Sequence, residues 1–451
     1  MPAEPERAAA VEAARERLAR AQARERGGRY TEALALLTPM ISEADALAYL
    51  PHMAEVHLLA GKLYMYMAKV AQASAHIDLA LRQGLEGKVD EIAAEALVVD
   101  IFILGYQRRR PEEALARAPL AWSLVRRAGN PPRLAALLHN NVASVHFEFG
   151  AIPQSAAEYE ESLALLVKHA PDDPLRWAVV NNLGNSLNGI GQFERARELA
   201  EDALREASRR LYPCHPTAAS LHSVLASGEA GRGNLEQAFA LYEQALACFG
   251  EEYPDSTLFI TAEVAELHHR TGDDAEARRT IERVDAIIDR FPDRGWPPPL
   301  LEVVRIDLDL REGRISEARE RFAGLRVRAE GTSGSEGFRL FGVYTRLALL
   351  AHLEHDDATA LKYIERAAPL SGPNTPSPEQ GLHSFTHARV LHGLGREPGT
   401  IVALAERAIA AYRAVGHAFR ISEIEDCLVA HPELRAPWTP PGGIGRYIAP
   451  R

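Results

Sequence analysis

Asn181, Asn185 and Asn188 follow a spacing of four and then three residues, which places three carboxamides on one face of a helix. Asparagine is a poor helix former, and in a packed core its amide would lack partners. The run therefore points to a solvent-lined wall that offers donors and acceptors to a ligand backbone. The 17 histidines suggest other chemistry. His268 and His269 are adjacent, His352 and His355 are three apart, and His383 and His387 are four apart on one predicted helix. A pair at i, i+4 can grip a metal, but zinc also needs a third ligand and an oriented second shell. HExxH and GxSxG are absent. Cys214 and His215 are neighbours in sequence, so a thiolate–imidazole dyad would need an unusual turn. The loop EGTSGSEG (330–337) lacks the lysine and following hydroxyl residue of a phosphate-cradling loop. No nucleophile–base set, metal triad or cofactor site emerges, and the chain is expected not to be an enzyme.

The elements that must position these groups announce themselves by a period. Gly150, Gly191, Gly233, Gly272 and Gly313 recur about every 40 residues, each between an apolar helical run and a second run that opens with alanine. A repeat of that length means stacked helix pairs rather than one globular core. Residues 174–189 and 193–209 show the helical pattern most clearly, with Gly191 where a left-handed C-cap is needed. Ala, Leu, Glu and Arg dominate, and only 7% of residues are aromatic, as suits helices of strong formers. The net charge of −11 argues against a nucleic-acid partner. Arg108–Arg110 is the single basic run and falls in a predicted turn. Asp172-Asp173 and Glu251-Glu252 fall in loops between units and read as solvated. The three cysteines are far apart and odd in number, so neither a disulfide framework nor a cysteine zinc site is expected. The charged N-terminus has no apolar signal region, and ALVVDIFILGY is too short to span a bilayer. A soluble, cytoplasmic protein without membrane contact is the expectation.

Small residues mark where paired helices approach: Gly184, Ala196 and Ala203 in one unit, Ala226, Ala238 and Ala245 in the next. With Gly233 and Tyr242 these match the tetratricopeptide signature, as do Ala143, Gly150, Tyr159 and Ser162. The chain thus resembles tetratricopeptide repeat proteins. The period near 42, the NN-L/V-A/G sequence of the first helices and the dipeptide His215-Pro216 are similar to the kinesin-light-chain-like subclass. The ends also look similar to the repeat regions attached to bacterial serine/threonine kinases, although no kinase motif is present. The resemblance implies an all-α, right-handed superhelix of about ten helix pairs. It divides the chain into divergent helices at 1–130, a regular array at 131–329, a flexible loop at 330–337, further helices at 338–432 and an extended tail at 433–451.

In that family the first helix of each pair lines the concave wall. The resemblance therefore carries Asn140, Ser144 and Phe147, then Asn181, Asn185 and Asn188, then Ser223 and Ser227, then Glu266 and His269 onto a groove. Lys62, Met65 and Tyr106 extend it toward the N-terminus, Arg389 and His392 toward the C-terminus. The groove should be polar and neutral at its centre and of mixed charge at its ends. The function implied is a non-catalytic scaffold or adaptor that binds a protein or peptide segment. The alternative is a regulatory sensor that changes superhelical shape on binding a signal peptide or an effector. Oligomeric state is left open.

Overall fold

A computed structural model describes residues 2–148, 150–210, 214–249, 254–290, 299–330, 338–372, 375, 377–396, 398–431 and 434. The described residues form twenty-one α-helices in chain order. The first four pairs are α1 (Pro5–Arg26) with α2 (Tyr30–Leu47), α3 (Leu50–Tyr66) with α4 (Val70–Glu86), α5 (Asp90–Phe102) with α6 (Pro111–Arg127), and α7 (Pro132–Glu148) with α8 (Ile152–His169). A π-helical turn, Ile103–Gln107, prolongs α5. Next come α9 (Leu175–Gly189) with α10 (Phe193–Arg210), α11 (Pro216–Gly231) with α12 (Leu235–Phe249), and α13 (Pro254–Thr271) with α14 (Asp274–Arg290). The last are α15 (Pro299–Arg311) with α16 (Ile315–Glu330), α17 (Phe338–Leu353) with α18 (Asp357–Ala367), α19 (Ser377–Gly393) with α20 (Pro398–Arg413), and an unpaired α21 (Ala418–Ala430). This is the expected solenoid of about ten pairs.

The two helices of a pair are built differently. Helix α10 buries only Ala196, Ala200, Ala203 and Ala207, a single stripe at helical spacing. Helix α9 buries Trp177, Val179, Val180, Leu183, Gly184, Ser186, Leu187 and Asn188, which cover most of its circumference. A first helix is enclosed by its own partner and by the first helices on either side, so polar groups on it must find partners or face the concave space. Close approach is set by glycine: a Cβ on Gly184 would lie 2.5 Å from Cγ1 of Val224. The five periodic glycines all carry positive φ, from 73° to 85°, and end first helices as C-caps.

The C-terminal repeats return to the middle of the array, a contact that periodicity does not reveal. The turn between α20 and α21 seats on α11–α13. Gly233 and Gly416 meet backbone to backbone, and a Cβ on Gly416 would come 2.7 Å from the Gly233 carbonyl oxygen. Arg270 donates to the carbonyls of Ala230, at 2.8 Å, and of Val415. The Arg311 guanidinium lies 4.0 Å over the Phe419 ring. His417 is buried beside His269 and Tyr412. That burial, with Arg420, His269, Arg270 and Arg311 around it, pushes its pKa down to about 2, so it is neutral at physiological pH.

One expectation is corrected. Cys214 and Cys248 are disulfide-bonded, across a sequence separation of 34. The α11–α12 hairpin reverses the chain and brings its two ends together, which distance along the sequence conceals. Cys427 is free. Positions 331–337 of the expected loop, and all of the expected tail except Leu434, lie outside the described residues. No helix among the described residues is long and apolar enough to cross a membrane.

Two glycine substitutions separate turn geometry from closure. Gly313 has positive φ but open space around it, so Gly313→Ala should cost only about 1–2 kcal/mol. Gly416→Ala adds a backbone clash to the same strain. It should lower the melting temperature further and raise the radius of gyration in small-angle scattering. Equal melting temperatures and an unchanged radius for both variants would rule out the closure.

Candidate functional site

Closure turns the concave face into a cavity of about 890 Å³. Helix α9 contributes Asn181, Asn182, Asn185 and Asn188; α7 contributes Ser144 and Phe147; α11 contributes Ser220, Ser223 and Ser227. Helix α13 adds Ser256, Phe259, Glu263, Glu266 and Arg270. Thr375, Ser377 and Pro378 ahead of and within α19, and Ala414 and Val415 of the closing turn, complete the lining from the C-terminal side. Apolar surface comes from Phe102 and Tyr106, stacked with ring centroids 5.0 Å apart, and from Phe193 and Phe249. Such a mixture of apolar area with a few convergent polar groups is what ligand sites share.

Ser144, Phe147, Asn181, Asn185, Asn188, Ser223, Ser227 and Glu266 all line this one cavity, whereas Asn140 and His269 do not. The asparagines divide into two sets by what they bond. Asn141 Nδ2 donates to the Val98 carbonyl at 2.9 Å, which ties α7 to α5. Asn140 donates to Asn141 Oδ1 at 3.0 Å and accepts from Asn182 Nδ2 at 3.3 Å, which ties α9 to α7. Asn188 Nδ2 donates to the Val224 carbonyl at 2.9 Å, which ties α9 to α11. This ladder holds first helices in register. Asn181 donates to Asn182 Oδ1 at 3.1 Å. Asn185 has no hydrogen bond among the described residues and is part-exposed to the cavity.

On α13 the cavity face runs through Phe259, Glu263, Glu266 and Arg270, in steps of four, three and four. The sequence reading stepped three beyond Glu266 and so reached His269 rather than Arg270. His269 instead lies in the closure, 3.5 Å from Asp274. Glu263 was missed, although the three-residue step back from Glu266 would have found it. Burial and the neighbouring Glu266 push its pKa up to about 7, with Arg270 and the Tyr242 hydroxyl (3.4 Å away) opposing.

Of the outlying groove residues Tyr106 lines the cavity, and the other four do not. Lys62 is paired with Glu25 at 3.3 Å and Glu95 at 3.1 Å, and the Met65 carbonyl accepts from Gln107. Arg389 lies over Phe385, and His392 packs on His431. The histidines of the spaced pairs have partners within the protein at His383 and His352. His383 is 3.1 Å from the Thr345 hydroxyl and its ring contacts Phe341, while burial with His387 and Arg407 nearby pushes its pKa down to about 4. His352 bonds Asp357. Among the described residues no three ligands are grouped to hold a metal.

No protein-family model and no curated protein sequence matches the chain. Solved structures do. A Rap protein complexed with competence and sporulation factor superposes with a TM-score of 0.59 at 15% identity, over 80% of this chain and 98% of that one. The apo form of the quorum sensor NprR from B. thuringiensis gives 0.49 at 17% identity, over 80% and 99%. The Cut9–Hcn1 hetero-tetramer of APC/C gives 0.41 at 13% identity, over 91% and 90%. The fold is a tetratricopeptide-type solenoid. At these identities the likeness is one of architecture.

The two asparagine sets should respond differently to alanine. Asn188→Ala removes a buried bond to Val224 and should destabilise the protein by about 1–3 kcal/mol. Asn185→Ala should leave thermal unfolding unchanged. A second outcome concerns pH. Folding raises the Glu263 pKa from its ordinary 4.5 to about 7, so the folded state holds a proton that the unfolded chain releases. That contribution to stability is complete below about pH 4.5 and is lost as pH rises to about 7. Denaturant titrations of Glu263→Gln should lack this fall; a parallel profile to that of the unaltered protein would refute the assignment.

Proposed function

We propose that this chain is a non-catalytic receptor for a short, extended peptide segment, held in the cavity by the carboxamides of α9. The observation that carries the reading is the pairing of Asn181 with Asn185. Both line the cavity, and Asn185 has no bond within the described protein. An extended backbone presents N–H and C=O groups at intervals that two carboxamides one helical turn apart can meet, and neither amide has to abandon the ladder to do so. Ser223 and Ser227 on α11 extend the polar strip, while Phe147 and the Phe102–Tyr106 stack supply side-chain pockets. That the Rap structure was solved with competence and sporulation factor supports a bound signal molecule within such an architecture. Asn140, Asn188 and His269 act by holding the walls.

One observation favours a regulatory form of this reading. Arg270 and Val415 line the cavity and are also bonded to each other across the closure. A peptide that touches both while they stay bonded would therefore favour the closed arrangement over an open one, the requirement for a sensor. We further assign the chain to a cytoplasmic setting and to the kinesin-light-chain-like and kinase-attached repeats, on residue pattern. The division at about 131 and 330 into divergent, regular and C-terminal segments belongs to the same proposal.

The test uses a random synthetic heptapeptide library passed over the immobilised full chain, followed by calorimetry on the retained peptides. Asn181→Ala with Asn185→Ala should weaken retained peptides at least roughly tenfold, a loss of about 1.4 kcal/mol, with thermal stability unchanged. Unaltered affinity would sink the groove assignment.

A further inference from the structure

The α11–α12 hairpin is fastened at both of its ends. At its turn Gly233 receives the backbone of Gly416, the seat of the α20–α21 turn. At its open end the disulfide joins Cys214, just ahead of α11, to Cys248 in the last turn of α12. Between these fastenings both helices carry the cavity. Ser220, Ser223 and Ser227 of α11 line it, and so does Phe249, the residue next to Cys248. Phe249 is also buried, in one apolar cluster with Ala226 of α11, Tyr242 of α12 and Ile260 of α13. Cys248 packs against the same cluster. A change at the disulfide therefore reaches the cavity wall and the seat of the closure through one hairpin.

The two sulfurs differ in access. Cys214 is exposed, whereas Cys248 is half-buried. Cys214 also has a φ of 64°, a left-handed backbone conformation that residues with side chains rarely adopt. Exposed disulfides exchange readily and form the labile, regulatory class, in contrast to enclosed structural ones. Cys427 has none of these features. It is half-buried on α21 against the apolar core of α19 and α20, and burial pushes its thiol pKa up. A thiol held protonated in this way is a poor nucleophile.

We propose that Cys214 and Cys248 form a reversible thiol–disulfide exchange site, modified by a dithiol or a small disulfide, which couples redox state to the closure. The exposed Sγ of Cys214 is the point of attack. A thiolate of the dithiol bonds to it, the Cys214–Cys248 bond breaks, and Cys248 Sγ leaves with the electron pair and takes up a proton. The second thiol of the reductant then attacks the mixed disulfide and releases Cys214. The protein gains two electrons and two protons, and the reductant becomes a disulfide. Oxidation by glutathione disulfide runs the exchange in the opposite direction and releases two molecules of thiol. Oxidised, the pair holds the ends of α11 and α12 together and constrains the unfolded chain, which favours the seated turn. Reduced, Cys214 can leave its left-handed conformation and the helix ends can part. In a compartment that keeps thiols reduced, the pair rests as two thiols and the staple forms on oxidation. The site acts whatever ligand the cavity takes, so it stands apart from the peptide-receptor reading.

The experiment uses the full chain, oxidised with glutathione disulfide or treated with dithiothreitol without denaturant, then alkylated for mass spectrometry. Oxidised protein should carry at most one alkyl group, on Cys427, and about 1 mM dithiothreitol should reversibly expose two further thiols. Reduction should lower the melting temperature by several degrees and speed amide hydrogen exchange at least about threefold in α11, in α12 and at residues 414–418. A Cys214→Ser with Cys248→Ser variant should match the reduced protein and ignore dithiothreitol, while Cys427→Ala should respond as the unaltered protein does. Circular dichroism confirms that both variants fold, and the titration of the unaltered protein decides the question without them. If about 10 mM dithiothreitol leaves the bond intact in the native protein, the disulfide is a fixed staple and the exchange site is wrong. If the bond exchanges while amide exchange at 414–418 does not change, the coupling to the closure is overturned. A response to dithiothreitol that persists in the double variant overturns it as well.

Discussion

The seating of the α20–α21 turn on α11–α13 is the contact on which the rest of the structure depends. A solenoid has nearest-neighbour contacts only, and its concave face is an open channel. Here Gly416 against Gly233, Arg270 to Val415 and Arg311 over Phe419 add contacts between units more than 100 residues apart in sequence. That contact supplies the last wall of the cavity. It also buries His417 and Arg270. Burial keeps His417, inside this contact, neutral at ordinary pH. The strength of the contact comes from geometry: two glycines without Cβ atoms let backbones touch, and one arginine bonds the carbonyls on both sides.

Polar residues on the first helices meet two incompatible demands. Enclosed on several sides, each must satisfy its own hydrogen bonds or expose them to the concave space. The asparagine doublets answer both at once. In each doublet the second residue reaches sideways, Asn141 to the backbone of α5 and Asn182 to Asn140 on α7. On α9 the first residue, Asn181, turns to the cavity. A ladder of this type pins the rotation of each helix to within the tolerance of a hydrogen bond, so the cavity-facing groups are presented with a fixed geometry. Preorganisation of that sort would lower the ordering cost for a flexible ligand of the kind proposed.

How far the site was legible differs along the chain. Over α7–α11 the spacing of small residues defines the register, and Ser144, Phe147, Asn181, Asn185, Ser223 and Ser227 were found from it. On α13 the register slipped by one residue beyond Glu266, because a helix advances by steps of three and four in turn and no asparagine marks the face there. Asn140 shows a different limit. It occupies an inward position by count, but an amide partner on the next helix draws it into the ladder. The disulfide between Cys214 and Cys248 was invisible for a related reason: the spacing of two cysteines says nothing until the hairpin between them is folded.

Local information in this chain is dense wherever the physics is local. Helix identity follows from propensity and from apolar periodicity. The ends of helices follow from glycine at left-handed positions, and the stacking of pairs follows from a 40-residue period. These were fixed by sequence alone, because each depends on residues within about one repeat of each other. Tertiary structure alone decided the seating of the α20–α21 turn, which asparagines bond between helices and which face the cavity, and the lack of an ion pair to Glu263 among the described residues. Each of these depends on which groups meet across space. A carboxylate reads the same in sequence whether an arginine faces it or not; only the fold leaves this one unpaired inside a cavity.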